Sequence, residues 1–181
     1  MKENKTAIIT GASRGIGRAT ALEMAKAGYD VIINFKSNES AAQETLNLVR
    51  QAGADGELYQ FDVADHAQTK DAVKTITERH KNIQVLVNNA GITADGLFML
   101  LGEDEWDSVL NTSLKGFYNM TKPVLREMIR KKRGSIVSVS SLSALMPNRG
   151  QANYAAAKAG MIAASRSLAS EVARFGIRVN V

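Results

Sequence analysis

A glycine-rich turn set between a short apolar run and a helix constrains this chain more than any other feature. Residues 6–10 (TAIIT) lead directly into Gly11-Ala12-Ser13-Arg14-Gly15-Ile16-Gly17. The pattern predicts a buried strand, a tight turn, and a helix to about Ala27. Glycines permit the turn and let a ligand approach the backbone closely. A strand that feeds a helix through such a turn aims several backbone N–H groups and a helix N-terminus at one point, an arrangement suited to phosphate. The spacing is G-x-x-x-G-x-G, not G-x-G-x-x-G, and the same glycines also suit a plain connection. Both readings stand on the local layout.

The strand–helix alternation continues along the chain. Residues 31–35 (VIINF), 57–61 (ELYQF), 85–87 (VLV) and 134–140 (GSIVSVS) read as strands, and 177–181 begins a sixth. Residues 38–52 form an amphipathic helix with Leu46 and Val49 on one side. Residues 65–80 and 103–132 are helical, the latter with a kink expected at Pro123, which lacks an N–H. Alternation with short turns predicts a doubly wound parallel α/β sheet, and 181 residues suit one domain spanning 1–181. Such sheets bind ligands at the C-terminal ends of their strands. Asn88-Asn89-Ala90-Gly91 follows the fourth strand at that edge.

Composition narrows the function classes. The chain has no cysteine, so neither disulfides nor thiolate metal sites are available. Its two histidines, His66 and His80, fall in a predicted helix with no ligand pattern around them, and no metal is expected. The net charge of +5 is moderate and no basic stripe interleaves with aromatics, which argues against nucleic acid. The Met1 region is polar, not a signal peptide, and no apolar run is long enough to span a membrane. A cytoplasmic protein is the default expectation.

The most chemically suggestive stretch is 151–175, an alanine-dense helix following the breaker run Pro147-Asn148-Arg149-Gly150. It contains Tyr154-Ala155-Ala156-Ala157-Lys158. Helical i,i+4 spacing puts the phenol and the ammonium on one face. A phenol alone is a weak acid, with a pKa of about 10. A neighbouring ammonium favours the phenolate, so the pair can give or take a proton near neutrality. Residues four apart meet on any helix, so the pair gains weight only from its setting.

Three further groups of residues carry two readings each. Arg14 and Lys36 suit the 2′-phosphate of NADP, because the second strand ends in Phe35-Lys36-Ser37-Asn38 with no carboxylate for a ribose hydroxyl until Glu39. They are equally ordinary solvated cations. Asp62, followed by Val63, either accepts from an adenine amino group or caps the next helix. Arg130-Lys131-Lys132-Arg133, with Arg174, either docks an acidic partner or is a solvated basic helix end.

Together, Thr10-Gly11-Ala12-Ser13-Arg14-Gly15-Ile16-Gly17, Asp62-Val63, Asn88-Asn89-Ala90-Gly91, Ser141 and Tyr154-x-x-x-Lys158 resemble the short-chain dehydrogenase/reductase family. Residues 150–160 (GQANYAAAKAG) look most like its 3-oxoacyl-[acyl-carrier-protein] reductases. The resemblance implies a Rossmann-type fold and NADPH-dependent reduction of a 3-oxoacyl thioester, carried on acyl carrier protein or CoA, within fatty acid or related biosynthesis. It implies Tyr154 as proton donor, Lys158 as its electrostatic partner and ribose ligand, and Ser141 as a donor to the substrate oxygen. It places the pyrophosphate at Gly11, Ser13, Arg14, Gly15, Ile16 and Gly17, the adenine at Asp62 and Val63, and the ribose region at Asn89, Ala90 and Gly91. It also implies a homodimer or homotetramer.

Two departures accompany the resemblance. Where the family has a relay asparagine, this chain has Ser113. Asn111 is two residues earlier and, at 3.6 residues per turn, on another face of the helix. Family members also continue past Val181 into a Pro-Gly turn, substrate-loop helices and a last strand, so a C-terminally truncated portion of a longer chain is expected. Another carbonyl reductase of the family, acting on a small ketone, acetoacetyl-CoA or a polyketide, is the alternative. A non-catalytic NADP-binding regulatory protein is the alternative of another class.

Overall fold

The computed structural model describes residues 5–181. The polar N-terminal residues 1–4 lie outside the described residues. Six strands form one sheet in the order β3-β2-β1-β4-β5-β6. These are β1 (Lys5–Ile9), β2 (Tyr29–Phe35), β3 (Gly56–Gln60), β4 (Ile83–Asn88), β5 (Gly134–Ser138) and β6 (Ile177–Asn180). Every pairing is parallel. The helices are α1 (Gly15–Lys26), α2 (Glu39–Gln51), α3 (His66–Arg79), α4 (Glu103–Leu110), α5 (Gly116–Lys131) and α6 (Ala152–Val172). This is the doubly wound Rossmann-type α/β architecture.

Period-2 alternation in the strands builds both layers. Ala7, Ile9, Val31, Ile33, Val85 and Val87 face one cluster, completed by Ala21 and Ala25 of α1 and Leu46 and Val49 of α2. Ile8, Ile32, Leu86 and Ile136 face the other, against Val73 and Ile76 of α3 and Met120, Val124 and Met128 of α5. Strands covered on both faces read as near-continuous apolar runs, which is why their centres were legible and their ends shifted by one or two residues.

Three sequence expectations need correction. First, the helix expected over 103–132 is two helices, α4 and α5, joined by a π-helical segment at Asn111–Lys115, with Pro123 inside α5. Second, Asp65 caps α3, its carboxylate accepting from Ala67 N and Gln68 N, so Asp62 is not the cap. Third, His80 lies just outside α3 as its C-cap residue. Among the described residues no helix is long and apolar enough to cross a membrane.

Candidate functional site

The strand order reverses between β1 and β4, and there the C-terminal strand ends open onto a cleft of about 830 Å³. Its walls include Gly11, Ser13, Arg14, Gly15, Ile16, Lys36, Asp62, Val63, Asn89, Ala90, Gly91, Tyr154 and Lys158. Residues separated by most of the chain thus share one cavity. Gly17, Ser113 and Ser141 lie off its walls.

The turn after β1 is tightly built. Gly11 has φ +62°, and a Cβ there would stand 3.0 Å from Ala90 Cα. At Gly17 a Cβ would come within 2.6 Å of Asn89 Nδ2 and 2.9 Å of Ala12 Cα. No side chain caps α1, and its first turn contains no acid. Its leading N–H groups therefore have no side-chain acceptor, and a bound anion would satisfy them. These features fit a cofactor pyrophosphate.

Polar side chains at strand ends, in β2 and in α1 hold this turn. Thr10 Oγ1 accepts from Asn89 N (2.9 Å) and Ala90 N (2.9 Å). Asn89 Nδ2 donates to Thr10 O (2.8 Å) and Gly11 O (3.1 Å). Asn34 Oδ1 accepts from Gly11 N (3.2 Å), while its Nδ2 donates to Phe61 O (3.0 Å). Arg18 donates to Ser13 O from Nη2 (2.7 Å), and also to Ala41 O and Thr45 Oγ1 of α2. The available signal was a polar side chain in an otherwise apolar run, which must find a buried partner.

At the β2 end, Lys36 Nζ pairs with Asp62 Oδ2 at 2.7 Å. Asp62 Oδ1 accepts from Ala64 N. Arg14 is exposed at the cleft, in the N-cap position of α1.

On α6, Tyr154 and Lys158 occupy successive turns, with Lys158 Nζ 5.7 Å from the phenol ring centroid. Lys158 is only 3% exposed, and its Nζ donates to Val139 O at 2.7 Å. Burial lowers its pKa from the ordinary 10.5 to about 8. Ser140 Oγ donates to Lys158 O (3.1 Å), tying the end of β5 to α6. Ser141 opens the short turn after β5, its Oγ accepting from Ser143 N (3.2 Å), which leaves its own proton free to donate. Ser143 Oγ donates to Gln151 Oε1 (2.9 Å), holding that turn to the start of α6.

Ser113 sits behind Gly91. It is 1% exposed, and its Oγ has no hydrogen-bond partner. A Cβ on Gly91 would stand 3.3 Å from both Ser113 Oγ and Lys158 Nζ. The π-helical winding of Asn111–Lys115 replaces the regular helix assumed from sequence; Asn111 is exposed while Ser113 is buried. π-bulges of this kind concentrate at functional sites.

A family model described as short chain dehydrogenase matches residues 5–181. The chain belongs to the short-chain dehydrogenase family. It is 42% identical over 180 residues to a 3-oxoacyl-[acyl-carrier-protein] reductase of Staphylococcus aureus (strain Mu50), covering 99% of this chain and 73% of that protein. The same-named protein of Salmonella typhimurium is 43% identical over 179 residues, covering 99% and 72%. That of Aggregatibacter actinomycetemcomitans is 42% identical over 178 residues, covering 98% and 74%. Membership makes the chain an oxidoreductase acting on CH–OH groups with a nicotinamide cofactor, and the cleft fits one.

The lysine carries a pH signature. Its folded-state pKa is depressed, so between about pH 8 and 10.5 the unfolded chain holds the proton that the folded chain releases. Stability therefore gains from this group as pH rises through that window. In the folded site the lysine loses its charge around pH 8. The pH profile of kcat/KM for carbonyl reduction, which reports the free enzyme, should fall on its alkaline side near pH 8. A profile flat from about pH 6 to pH 10 would remove Lys158 from the proton-transfer chemistry.

Proposed function

We propose that this chain reduces a 3-oxoacyl thioester, carried on acyl carrier protein, to the 3-hydroxyacyl thioester with NADPH. The observation that carries the reading is the meeting of Tyr154 and Lys158 with the uncapped glycine turn in one cleft. The relatives' shared name supplies the substrate class.

When bound, a reduced nicotinamide supplies hydride to the substrate carbonyl carbon. The protein handles the oxygen. Tyr154 donates its phenolic proton to it as negative charge develops. Ser141 donates a hydrogen bond to the same oxygen and holds it beside the phenol. The Lys158 ammonium lies close enough to stabilise the phenolate left behind, in a partly dewatered site where charge acts more strongly than in bulk water. Ser113, a buried hydroxyl without a hydrogen-bond partner near Lys158, would hold a water that returns the proton.

Arg14 and Lys36 favour NADPH over NADH. Both line the cleft, and Phe35-Lys36-Ser37-Asn38 brings no carboxylate to that wall. Lys36 is already balanced by Asp62, which leaves Arg14 as the less encumbered cation.

The charge of the basic run at residues 130–133 supports an acidic carrier partner. Lys132 takes a left-handed φ of 52° and ends α5. A Cβ at Gly176 would stand 2.9 Å from Lys132 O, so the turn carrying Arg174 packs onto the run. Arg130 is paired with Glu127.

The test is oxidation of NADPH and NADH in parallel with a 3-oxoacyl thioester. NADPH should be preferred by roughly tenfold or more, the worth of one charge-assisted hydrogen bond. Turnover with neither cofactor would overturn the reading.

A further inference from the structure

Behind the Asp62–Val63 wall of the cleft lies a buried polar network in an otherwise apolar seam. Asn119 of α5 is 1% exposed and stands next in sequence to the core residue Met120. Its Nδ2 donates to Val63 O at 2.8 Å and to Ala64 O at 3.3 Å. Its Oδ1 lies 3.0 Å from His66 Nδ1. An amide oxygen only accepts, so His66 carries its proton on Nδ1 and donates it here. Every hydrogen-bonding group of the buried amide is thereby used.

Burying an amide costs desolvation free energy that a leucine would not, and its hydrogen bonds offset that cost. They tie the carbonyls of the turn after β3 to α5. The outer face of the turn is fixed as well. Asp62 N donates to Gln68 Oε1 (3.2 Å), and Asp62 pairs with Lys36. At Gly116 a Cβ would stand 2.9 Å from Val63 Cγ2, so α5 presses directly on this residue. Phe61, Asp62 and Val63 line the cleft, whereas His66 and Asn119 do not.

We propose that Asn119 and His66 are positioning residues for the adenine end of the cofactor cleft, acting through the Asp62–Val63–Ala64 turn. This rests on the NADPH reading above. It is independent of the chemistry at Tyr154, because the network touches only the far end of the cleft.

Calorimetric titration with 2′,5′-ADP, which carries the adenine and 2′-phosphate without the nicotinamide, reads that end directly. Asn119→Leu removes both amide donations, leaving Val63 O only the longer bond from Thr69 Oγ1 (3.4 Å), and should weaken binding by about tenfold. His66→Phe keeps a ring on an exposed helix start, removes only the donor, and should weaken it by roughly threefold. In both variants kcat at saturating NADPH, and KM for reduced nicotinamide mononucleotide, should stay within about twofold. Unchanged 2′,5′-ADP affinity in folded variants would overturn the proposal, as would an equal loss with the mononucleotide. If Asn119→Leu does not fold, His66→Phe decides. A wild-type protein that fails to bind 2′,5′-ADP sinks the NADPH reading itself, a result distinct from variants that bind like wild type.

Discussion

Tyr154→Phe should lower turnover with a 3-oxoacyl thioester by about 10²–10⁴-fold, the usual contribution of a positioned general acid. The substitution deletes one oxygen and keeps the ring. Among the described residues the phenol oxygen makes no hydrogen bond whose loss would strand a partner, and Lys158 keeps its own bond to Val139 O. The cleft therefore keeps its shape. 2′,5′-ADP should bind within about twofold of wild type, and stability should change by less than roughly 0.5 kcal/mol. Steady-state NADPH oxidation and calorimetric titration check the two halves separately. Turnover within tenfold of wild type would remove Tyr154 as the acid and shift weight to a nucleotide-binding role without catalysis. Loss of binding together with turnover would show instead that the phenol builds the cleft.

The second large effect is expected at Gly17→Ala. Alanine normally favours a helix over glycine by up to about 1 kcal/mol. Here the gain is overwhelmed. The new methyl would meet Asn89 Nδ2 at 2.6 Å and Ala12 Cα at 2.9 Å, and would crowd Gly11 O as well. Asn89 cannot yield freely, because that same Nδ2 donates to Thr10 O and Gly11 O. Either α1 moves away from the turn or those bonds break. Overpacking and a lost buried hydrogen bond together cost about 2–4 kcal/mol. That corresponds to a fall in Tm of roughly 5–15 °C for a chain of this size. Because the displaced groups build the turn proposed to hold the cofactor phosphates, affinity for NADPH should fall by at least about tenfold. Thermal unfolding and cofactor titration read the two effects. Wild-type Tm and wild-type affinity would show that α1 repacks without consequence, contrary to the close approach of these backbones.

Much of the candidate site's layout was legible because its residues are close together in sequence. Tyr154 and Lys158 need only a helix to share a face. Gly11, Gly15 and Gly17 need only a turn between strand and helix. Other roles were open because they depend on partners far away in the chain. Asp62 resolved away from helix capping once Asp65 proved to hold that position. It instead holds Lys36 across the cleft wall. The hydrogen-bonding roles of Thr10, Asn34, Arg18 and Asn119 were not legible because their partners come from other segments. A polar residue in an apolar run signals that a buried partner exists but not which one.

By itself, then, the sequence determined the order and type of elements. Burial on both faces of a parallel sheet demands uninterrupted apolar strands, and turns and caps demand particular residues beside them. It also determined which residue types stand ready at the strand ends. Only the tertiary structure decided that these residues open onto one cleft, that Ser113 is buried without a partner beside Lys158, and that a π-helical turn separates α4 from α5. Packing decides such matters. Desolvation of Lys158, the approach of Gly17 to Asn89, and the winding of Asn111–Lys115 arise from contacts between segments that pattern and propensity describe one at a time.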